Sequence, residues 1–484
     1  MSEHLVNRRG FLRGAMAAQV PLIGTALATG AYQPTQVGAL RGSAKSVLIP
    51  THELSGMLDE RLDFPSNWDI NVMHMRGYGA PVLTQEQLAE QMSKPVGTAP
   101  LREIAAGRKT VAITFGEMSR PTPTYEVVPW VLDQLTAAGI RDENILFIAA
   151  IANHRPMTQT EVATKLGMAV IKKYAWVNHS CFYGCKEIGT TSRKTNVMVN
   201  QTFMDADLKI TLSGIKVHFD AGYGGGAKMV LPGVAHVDTV EHNHNVVLRE
   251  TKTSGPVKTF KNEMRLDIIE AARLAKVDFS VQLMYDHKLR PIQVRSGDIV
   301  ESHNSIVRVA AKTYCTPAFK DADIVVANAY PKCSQASASQ RWINLCAKDG
   351  GTGVLIVNHP WTVDPIHFLN NRTAARRGMS WYNQMANRIS GGGRGGPGGP
   401  APAQPVGGPG GPGAPGVRRR EIGLIVYSQY MTRSFMNGFP ASTQFASTWE
   451  EVVKMLQERH KGPSVRVAVY PYGGIQHEEI ELDG

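Results

Sequence analysis

The chain has 484 residues, of which 43% are apolar, and it carries a formal net charge of +11. That length suits two or three domains with ordinary cores, and no interior run reaches the roughly 20 apolar residues that span a membrane. The positive charge does not indicate nucleic-acid binding, because it is concentrated in an N-terminal leader and around a low-complexity stretch that has no acidic residue between His367 and Arg420.

The leader, residues 1–31, contains a twin arginine, Arg8 and Arg9, followed by Gly-Phe-Leu and a moderately apolar run. This pattern is typical of the signal peptides that direct folded proteins to the Tat translocase. We expect cleavage after Ala28 or Ala31 and a periplasmic mature protein without a membrane span. A disordered, arginine-bearing terminus is the alternative. Because Tat substrates are exported already folded, the leader also favours a cofactor inserted before export.

The next part of the chain alternates between strands and helices. The predicted order is strand Lys109–Phe115, loop Gly116–Thr124, helix Tyr125–Ala138 capped by Thr124, strand Ile145–Ala152, and a helix that begins near Thr158. This order predicts a parallel α/β sheet, in which ligands bind beyond the carboxyl ends of the strands. The polar residues at those ends are Glu117, Ser119, Arg120, His154 and Arg155, and we predict that they line a site.

The chain continues with helix Asn262–Lys276, strand Phe279–Met284 and a helix from His303, and a second α/β unit follows. Its predicted elements are strand Ile324–Ala327, loop Asn328–Ser339, helix Arg341–Lys348, strands Val354–Val357, Ile422–Tyr427 and Val465–Val469, and helix Thr448–Arg459. We predict one α/β domain over 45–300 and another over 301–484. The Gly/Pro-rich residues 390–417 cannot form a core and should be a disordered insert in the second domain.

The segment Gly214–Asn245 combines a glycine-rich turn, a lysine and several histidines. Glycines permit positive φ angles and let backbone N–H groups approach an anion. A nucleotide-binding P-loop would need a glycine before the lysine and a serine or threonine after it, where this chain has Ala227 and Met229.

The sequence offers two metal-site alternatives, one in this segment and one upstream of it, and neither is favoured. His236, His242 and His244 match no common zinc spacing. Cys181 and Cys185 form a C-x3-C pair, for which free thiols are favoured over a metal site or a disulfide.

Four blocks of the sequence resemble the lactate racemase family, whose enzymes use a nickel pincer nucleotide. The blocks are Pro95–Leu101 (PVGTAPL), Glu117–Pro123 (EMSRPTP), Asn153–Thr158 (NHRPMT) and the long stretch from His218 to His244, which contains FDAGYGGGAKMVLPG. The match runs in register from about Pro95 to Asp349. It implies a two-domain α/β protein with its site in the cleft between domains.

The resemblance also implies a cofactor, Ni(II)-pyridinium-3-thioamide-5-thiocarboxylic acid mononucleotide. Lys228 would hold it through a thioamide and His244 would be the protein's nickel ligand, so that two sulfurs, a ring carbon and an imidazole give the square-planar field that Ni(II) favours. Ser119, Arg120 and the Gly224, Gly225 and Gly226 turn would lie near its phosphate. Cofactor-synthesis proteins would be partners.

The implied reaction is the racemisation or epimerisation of a small 2-hydroxy acid by reversible hydride transfer to this cofactor. His154 and His218 would be the two acid/base residues, one for each enantiomer. Glu117 and Arg120 occupy catalytic positions of the family's D-x-T-R pattern, with glutamate replacing aspartate. Arg120 and Arg155 are candidates to orient the substrate carboxylate.

The chain departs from the family in its second domain. Ser337 and Ala338 replace a Tyr-Gln pair, and Arg341 replaces a lysine, which still leaves Arg341 a candidate substrate-binding cation. The departures favour a larger 2-hydroxy acid or a sugar acid at least as much as lactate. Two alternative functions stay open, a pincer-dependent hydroxy-acid oxidoreductase and a non-catalytic exported solute-binding protein.

Overall fold

A computed structural model describes residues 40–42, 46–54, 56–360, 420–436 and 439–484. The predicted leader, 1–31, and the predicted insert, 390–417, lie outside the described residues. Within them, no helix is both long and apolar enough to cross a membrane.

The strands fall into two large sheets and three small ones. In chain order they are β1 Leu40–Gly42, β2 Ser46–Thr51, β3 Leu58–Asp63, β4 Trp68–Val72, β5 Val111–Gly116, β6 Ile145–Ala150, β7 Ala175–Asn178, β8 Cys185–Thr190, β9 Asn196–Asn200, β10 Leu208–Gly214, β11 Val217–His218, β12 Ala221–Tyr223, β13 Gly255–Pro256, β14 Phe279–Tyr285, β15 Pro291–Gly297, β16 Ala322–Asn328, β17 Ala347–Ile356, β18 Gly423–Tyr427, β19 Gln444–Ala446 and β20 Val465–Tyr470.

The helices of the described ranges mostly connect successive strands of these sheets. They are α1 Gln85–Met92, α2 Leu101–Ala105, α3 Val128–Ala137, α4 Gln159–Leu166, α5 Met168–Lys173, α6 Gln201–Asp205, α7 Val237–Glu241, α8 Leu248–Glu250, α9 Glu263–Ala275, α10 Glu301–Thr313, α11 Ser337–Cys346, α12 Arg433–Met436 and α13 Trp449–Arg459. A π-helix, His242–Val247, joins α7 to α8.

The six-stranded sheet has the order β15-β14-β10-β5-β6-β7 and is parallel except for the pairing of β15 with β14. Every residue of β5 is buried, and so is every residue of β10 except its last. Strands covered on both faces are continuous hydrophobic runs, which is why Val111–Gly116 was recognisable as a strand. The carboxyl ends of β5, β6 and β10 therefore lie side by side.

The seven-stranded sheet has the order β1-β4-β20-β16-β17-β18-β19, and only β1 runs antiparallel to its neighbour. Strand β4 lies within the predicted first domain, 45–300, yet it pairs with β20 near the C-terminus. The start and the end of the described chain thus share one sheet, and the described residues form one compact unit. The division into two domains at residue 300 stays a prediction. The predicted α/β class is confirmed.

Two predicted helix starts were wrong. Helix α3 begins at Val128 without a side-chain cap, after a 3₁₀ turn at Thr124–Glu126, because Pro129 fits only the first turn of a helix. Helix α11 begins at Ser337, inside the predicted polar loop. Ala338 and Trp342 lie one turn apart and are buried, and Trp342 stacks on Tyr470 with ring centroids 4.1 Å apart. Tertiary burial therefore extends this helix through a segment of polar composition.

A turn after Lys228 connects two parts of the six-stranded sheet's carboxyl edge. The N–H of Gly233 donates to the carbonyl of Lys228 at 3.0 Å, and its carbonyl accepts from the N–H of Ala152 at 2.9 Å. A Cβ atom on Gly233 would lie 2.2 Å from the carbonyl oxygen of Met229. Since that oxygen belongs to the backbone, no rotamer change can relieve the contact.

We predict that Gly233→Ala destabilises the protein by roughly 1–3 kcal/mol, the usual cost of forced overpacking. The Tm in thermal unfolding should fall accordingly. Gly462→Ala is the matched control, because a Cβ there meets no atom closer than 3.9 Å. Equal Tm values for the two variants would contradict the tight packing of the turn.

Candidate functional site

A pocket opens at the carboxyl ends of β5, β6 and β10 and encloses about 610 Å³, part of it open to solvent. Several residues that the sequence singled out line it, namely Glu117, Arg120, His218, Gly224, Gly225 and Lys228. They come from two segments of the chain, one after β5 and one after β10, and Ala150 and Ala152 of the β6 segment complete this side of the pocket. The parallel order of the sheet brings them together, as expected for residues that follow adjacent strands.

Glu117 is buried, and Ser119 donates to its carboxylate from both the backbone N–H and the hydroxyl. Arg120 lies 3.5 Å from the same carboxylate and donates to the Ser119 hydroxyl at 2.7 Å. Burial by itself would raise the pKa of Glu117, but the charges of Arg120 and His154 and the Ser119 hydrogen bonds lower it to about 2. Glu117 is therefore an anion at neutral pH and holds Arg120 in place.

Lys165 is a site residue that the sequence reasoning missed. It is fully buried on α4, and its Nζ donates to the carbonyls of Arg120 and Thr122, each at 2.6 Å. Burial lowers its pKa to about 7, against the attraction of Glu117. It fixes the backbone of the loop that carries Arg120. Lys165 lies on a helix 45 residues after Arg120, so no local sequence motif connects it with the site.

The glycine-rich turn presents its backbone to the pocket. Gly225 and Gly226 have φ angles of +78° and +57°, and a Cβ on Gly226 would lie 2.8 Å from the His303 ring. His303 Nε2 bonds the Gly224 carbonyl at 3.0 Å, and the buried Arg265 donates to the Gly225 carbonyl at 3.4 Å. The N–H of a trans peptide points opposite to its carbonyl. The N–H groups of Gly225 and Gly226 therefore point away from His303 and Arg265.

Lys228 lies in this turn with its side chain inside the pocket. It is 8% exposed, and its Nζ has no hydrogen-bond partner among the described residues. Burial, together with the positive charges of Arg265 and Arg120, lowers its pKa to about 7. A buried amine that is unpaired and half neutral near pH 7 is a nucleophile available for covalent attachment.

His218 follows the same edge and has a defined hydrogen-bonding arrangement. The backbone N–H groups of Asp220 and Ala221 both donate to its Nδ1 at 3.2 Å. Nδ1 is therefore an acceptor, which assigns the proton of the neutral ring to Nε2. Burial and the nearby charges of Lys228 and Lys332 hold the pKa of His218 well below its usual value. The ring is neutral at pH 7 and presents a proton at Nε2.

His154 and Arg155 follow β6 but differ in their surroundings. The chain reaches them through Ala152, which has a left-handed φ of 53°. His154 is buried, and its charge acts on Glu117. Arg155 forms a two-pronged ion pair with Glu161 on α4, with NH1 2.9 Å from Oε2. Neither side chain is among those that line the pocket, and the substrate-binding role of Arg155 stays a prediction.

His244 lies in the π-helix, where its Nδ1 contacts the Val240 carbonyl at 3.2 Å. π-Helical turns inside α-helices are rare and frequently mark functional sites. The buried Asp267 on α9 holds this turn by accepting from Asn243 at 2.7 Å and from Thr195 at 2.8 Å. His244 is not among the residues that line the pocket, so its predicted role as metal ligand is not tested.

The other histidines and the cysteines have ordinary structural surroundings. His242 Nδ1 contacts the Thr195 hydroxyl at 2.8 Å, and His236 Nδ1 accepts from the Asp238 N–H at 3.2 Å. The five cysteines are free thiols, as predicted. In the described ranges, no three His, Cys, Asp or Glu side chains form a group suited to hold a metal ion.

Arg341 is buried on α11 and already has partners. It donates to the Gln476 carbonyl at 2.8 Å, lies 2.9 Å from the Glu478 carboxylate, and stacks over Phe219 at 5.5 Å. Its candidate role in substrate binding is not tested. Two lysines that sequence reasoning missed, Lys216 and Lys332, lie nearer to the catalytic candidates. Lys332 follows the carboxyl end of β16, a placement that the sheet rule applied to Glu117 could have identified.

Comparison with known proteins agrees with this arrangement. A family model described as the lactate racemase N-terminal domain matches residues 56–255, which include each of the predicted site residues except Arg341. Lactate racemase from Lactiplantibacillus plantarum is 27% identical over 279 residues, which are 56% of this chain and 65% of that protein. Lactate racemase from Thermoanaerobacterium thermosaccharolyticum is 25% identical over 281 residues, 56% of this chain and 66% of that protein.

The matched part therefore spans just under two thirds of the length of these relatives. The solved lactate racemase apoprotein from Thermoanaerobacterium thermosaccharolyticum has a TM-score of 0.63 at 20% identity and covers 90% of this chain and 100% of that chain. A crystal structure of a Thermotoga maritima protein has a TM-score of 0.57 at 17% identity, covering 83% and 99%. Both structures share the fold. Residues 56–255 thus match the lactate racemase N-terminal domain, and the chain is similar to lactate racemases over 56% of its length.

Proposed function

We propose that the protein is a racemase or epimerase of a 2-hydroxy acid. The observation that carries this proposal is the unpaired, buried amine of Lys228 in the same pocket as His218, Glu117 and Arg120. A nucleophilic lysine beside an acid/base imidazole and a guanidinium is suited to a tethered cofactor and an anionic substrate.

The residues fit the nickel pincer nucleotide that the sequence resemblance implies. Lys228 would hold it covalently, because its Nζ has no competing partner in the described structure. Gly224 and Gly225 line the pocket, and Gly226 has no room for a side chain because a Cβ there would lie 2.8 Å from the His303 ring. His244 would supply the nickel ligand. When bound, this cofactor would accept a hydride from the α-carbon of the substrate and return it.

His218 and His154 would accept the proton of the substrate hydroxyl and return it. In the arrangement described above, His218 donates a hydrogen bond from Nε2 to a substrate oxygen. It becomes a base only in the other tautomer, with the proton on Nδ1 and the two backbone contacts given up. Since a hydrogen bond contributes about 0.5–1.5 kcal/mol net, that tautomer costs roughly 1–3 kcal/mol, which is accessible during catalysis.

Arg120 would orient the substrate or cofactor by charge, and Glu117 would position Arg120 rather than exchange protons. A carboxyl group whose pKa is about 2 stays ionised throughout the working pH range of an imidazole base. Arg155 is a weaker candidate for substrate contact because Glu161 already binds its guanidinium.

We also propose that the leader directs export of the loaded protein through the Tat translocase to the periplasm. The supporting observation is the twin-arginine pattern in residues 1–31. Cofactor-synthesis proteins would then act before export.

The function is tested by producing the protein together with enzymes that make the cofactor. We expect a mass adduct on Lys228, nickel in the purified protein, and conversion of one enantiomer of a 2-hydroxy acid into the other without net oxidation. Lys228→Arg should lose the adduct, because guanidinium is not a nucleophile at neutral pH. Net formation of a 2-keto acid would instead indicate an oxidoreductase, and an unmodified, nickel-free wild type would indicate a binding protein.

His218→Gln should lower kcat by about 10²- to 10⁴-fold, the usual contribution of a general acid–base group. The amount of Lys228-linked cofactor, measured by mass spectrometry, should not change. His236→Gln is the control, since His236 lies outside the pocket, and it should keep wild-type kcat. A loss of cofactor in His218→Gln would show that this residue holds the cofactor instead.

The low pKa of Lys228 predicts unusual reactivity of its amine without cofactor. Since burial lowers that pKa to about 7, labelling by an amine-directed reagent should reach half its maximal rate near pH 7. The rate should be measured by peptide mass spectrometry from pH 6 to 10. The exposed Lys461 of the same sample is the internal control for the reagent, because its amine is accessible to solvent. Identical profiles would contradict the burial argument.

A further inference from the structure

Two buried lysines from different sheets meet at the edge of the pocket. Lys216 follows β10 of the six-stranded sheet, and Lys332 follows β16 of the seven-stranded sheet. They are 4% and 5% exposed, and their amines are close enough to share a hydrogen bond. Lys216 lines the pocket.

This contact is unfavourable in the protein alone. When both amines are protonated, their like charges repel, and the repulsion is stronger in a buried site than in water. Burial and the charge of Lys216 hold the pKa of Lys332 well below its usual value, whereas burial and the charge of Arg120 lower the pKa of Lys216 to about 7. A buried pair of this kind is stabilised when an anion binds both amines.

The carboxylates of Glu117 and Asp220 both interact with Lys332 by charge, but in the described part of the chain neither forms an ion pair with Lys216 or Lys332. Glu117 is a buried carboxylate whose charge acts on Lys332. However, it already accepts a hydrogen bond from Ser119 and forms an ion pair with Arg120. Lys332 donates to the side-chain amide oxygen of Gln335, which is uncharged. The lysine pair therefore keeps an unmet capacity for negative charge.

The other candidate cation from the C-terminal half is differently placed. The Arg341 guanidinium contacts the Glu478 carboxylate and the Gln476 carbonyl, and it stacks on Phe219 and Trp342. Its charge is compensated within the protein. Of these two cations of the C-terminal half, Lys332 is the one whose charge acts on His218 and Lys228.

We propose that Lys216 and Lys332 together bind the carboxylate of the 2-hydroxy acid, and that Lys332 determines substrate specificity. The carboxylate oxygens would lie between the two amines, and the hydroxyl would face the His218 side of the pocket. The identity of the ligand rests on the proposed function, whereas the anion site itself rests on the contact between the lysines.

The proposal predicts opposite effects on binding and on stability. Lys332→Met removes one of two repelling charges, so the free protein should gain thermal stability while it loses affinity for a carboxylate. If Lys332 were only structural, its removal would lower the Tm, because the hydrogen bond to Gln335 would be lost without compensation.

The experiment is isothermal titration of the cofactor-free full chain with oxalate, a small unreactive dicarboxylate, paired with thermal unfolding. Lys332→Met should bind oxalate at least tenfold more weakly than wild type and unfold at a higher temperature. Lys332→Arg should restore most of the affinity. Lys461→Met, which removes an exposed lysine, should behave as wild type.

Unchanged oxalate affinity in Lys332→Met, no oxalate binding by wild type, or a lower Tm in Lys332→Met would each overturn the proposal. Titration with inorganic phosphate and nicotinate mononucleotide distinguishes the source of the anion. If these bind more tightly than oxalate and lose affinity in Lys332→Met, the lysines hold a cofactor phosphate and the proposal fails.

The proposed function is judged separately, by racemisation with the loaded wild type. A protein without racemase activity can still show oxalate binding that depends on Lys332. If the loaded protein is a racemase but its oxalate affinity does not depend on Lys332, the proposed function stands and only this inference is contradicted.

Discussion

The dominant constraint on this structure is the burial of several cationic side chains in and around one pocket. Lys165, Lys216, Lys228 and Lys332 are all buried, and Glu117 is the buried carboxylate whose charge acts on most of them. Several buried amines can be stabilised in two ways, by loss of their protons or by the binding of anions. Both are useful to an enzyme that needs a nucleophilic amine and an anionic substrate.

The two sheets contribute different residues to the site. The parallel edge of the six-stranded sheet supplies Glu117, Arg120, His218 and Lys228, whereas the seven-stranded sheet contributes Lys332. The pairing of β4 with β20 brings the beginning of the described chain into the second sheet. Substrate preference can therefore change through residues after β16 while the lysine and histidines of the first sheet are kept, which agrees with the changed motif around Ser337 and Arg341.

The segment around His244 shows a different use of buried polarity. Asp267 accepts hydrogen bonds from Thr191, Thr195 and Asn243. These bonds fix the π-helical turn that directly follows α7. An extra residue per turn changes the direction of the side chains that follow. The histidine pattern alone could not reveal this, because a π-helix has no distinctive local composition.

The sequence by itself determined the α/β class and the buried strand β5, and it placed Glu117 and Arg120 at the carboxyl end of that strand, whereas their grouping with His218 and Lys228 was implied by the family resemblance. Hydrophobic runs and glycine turns are local properties, and the rule for parallel sheets converts them into a shared edge. Only the tertiary structure decided that α11 begins at Ser337, that Glu161 binds Arg155, and that Lys216 meets Lys332. Those outcomes depend on packing and charge between segments far apart in the chain, which no local pattern encodes.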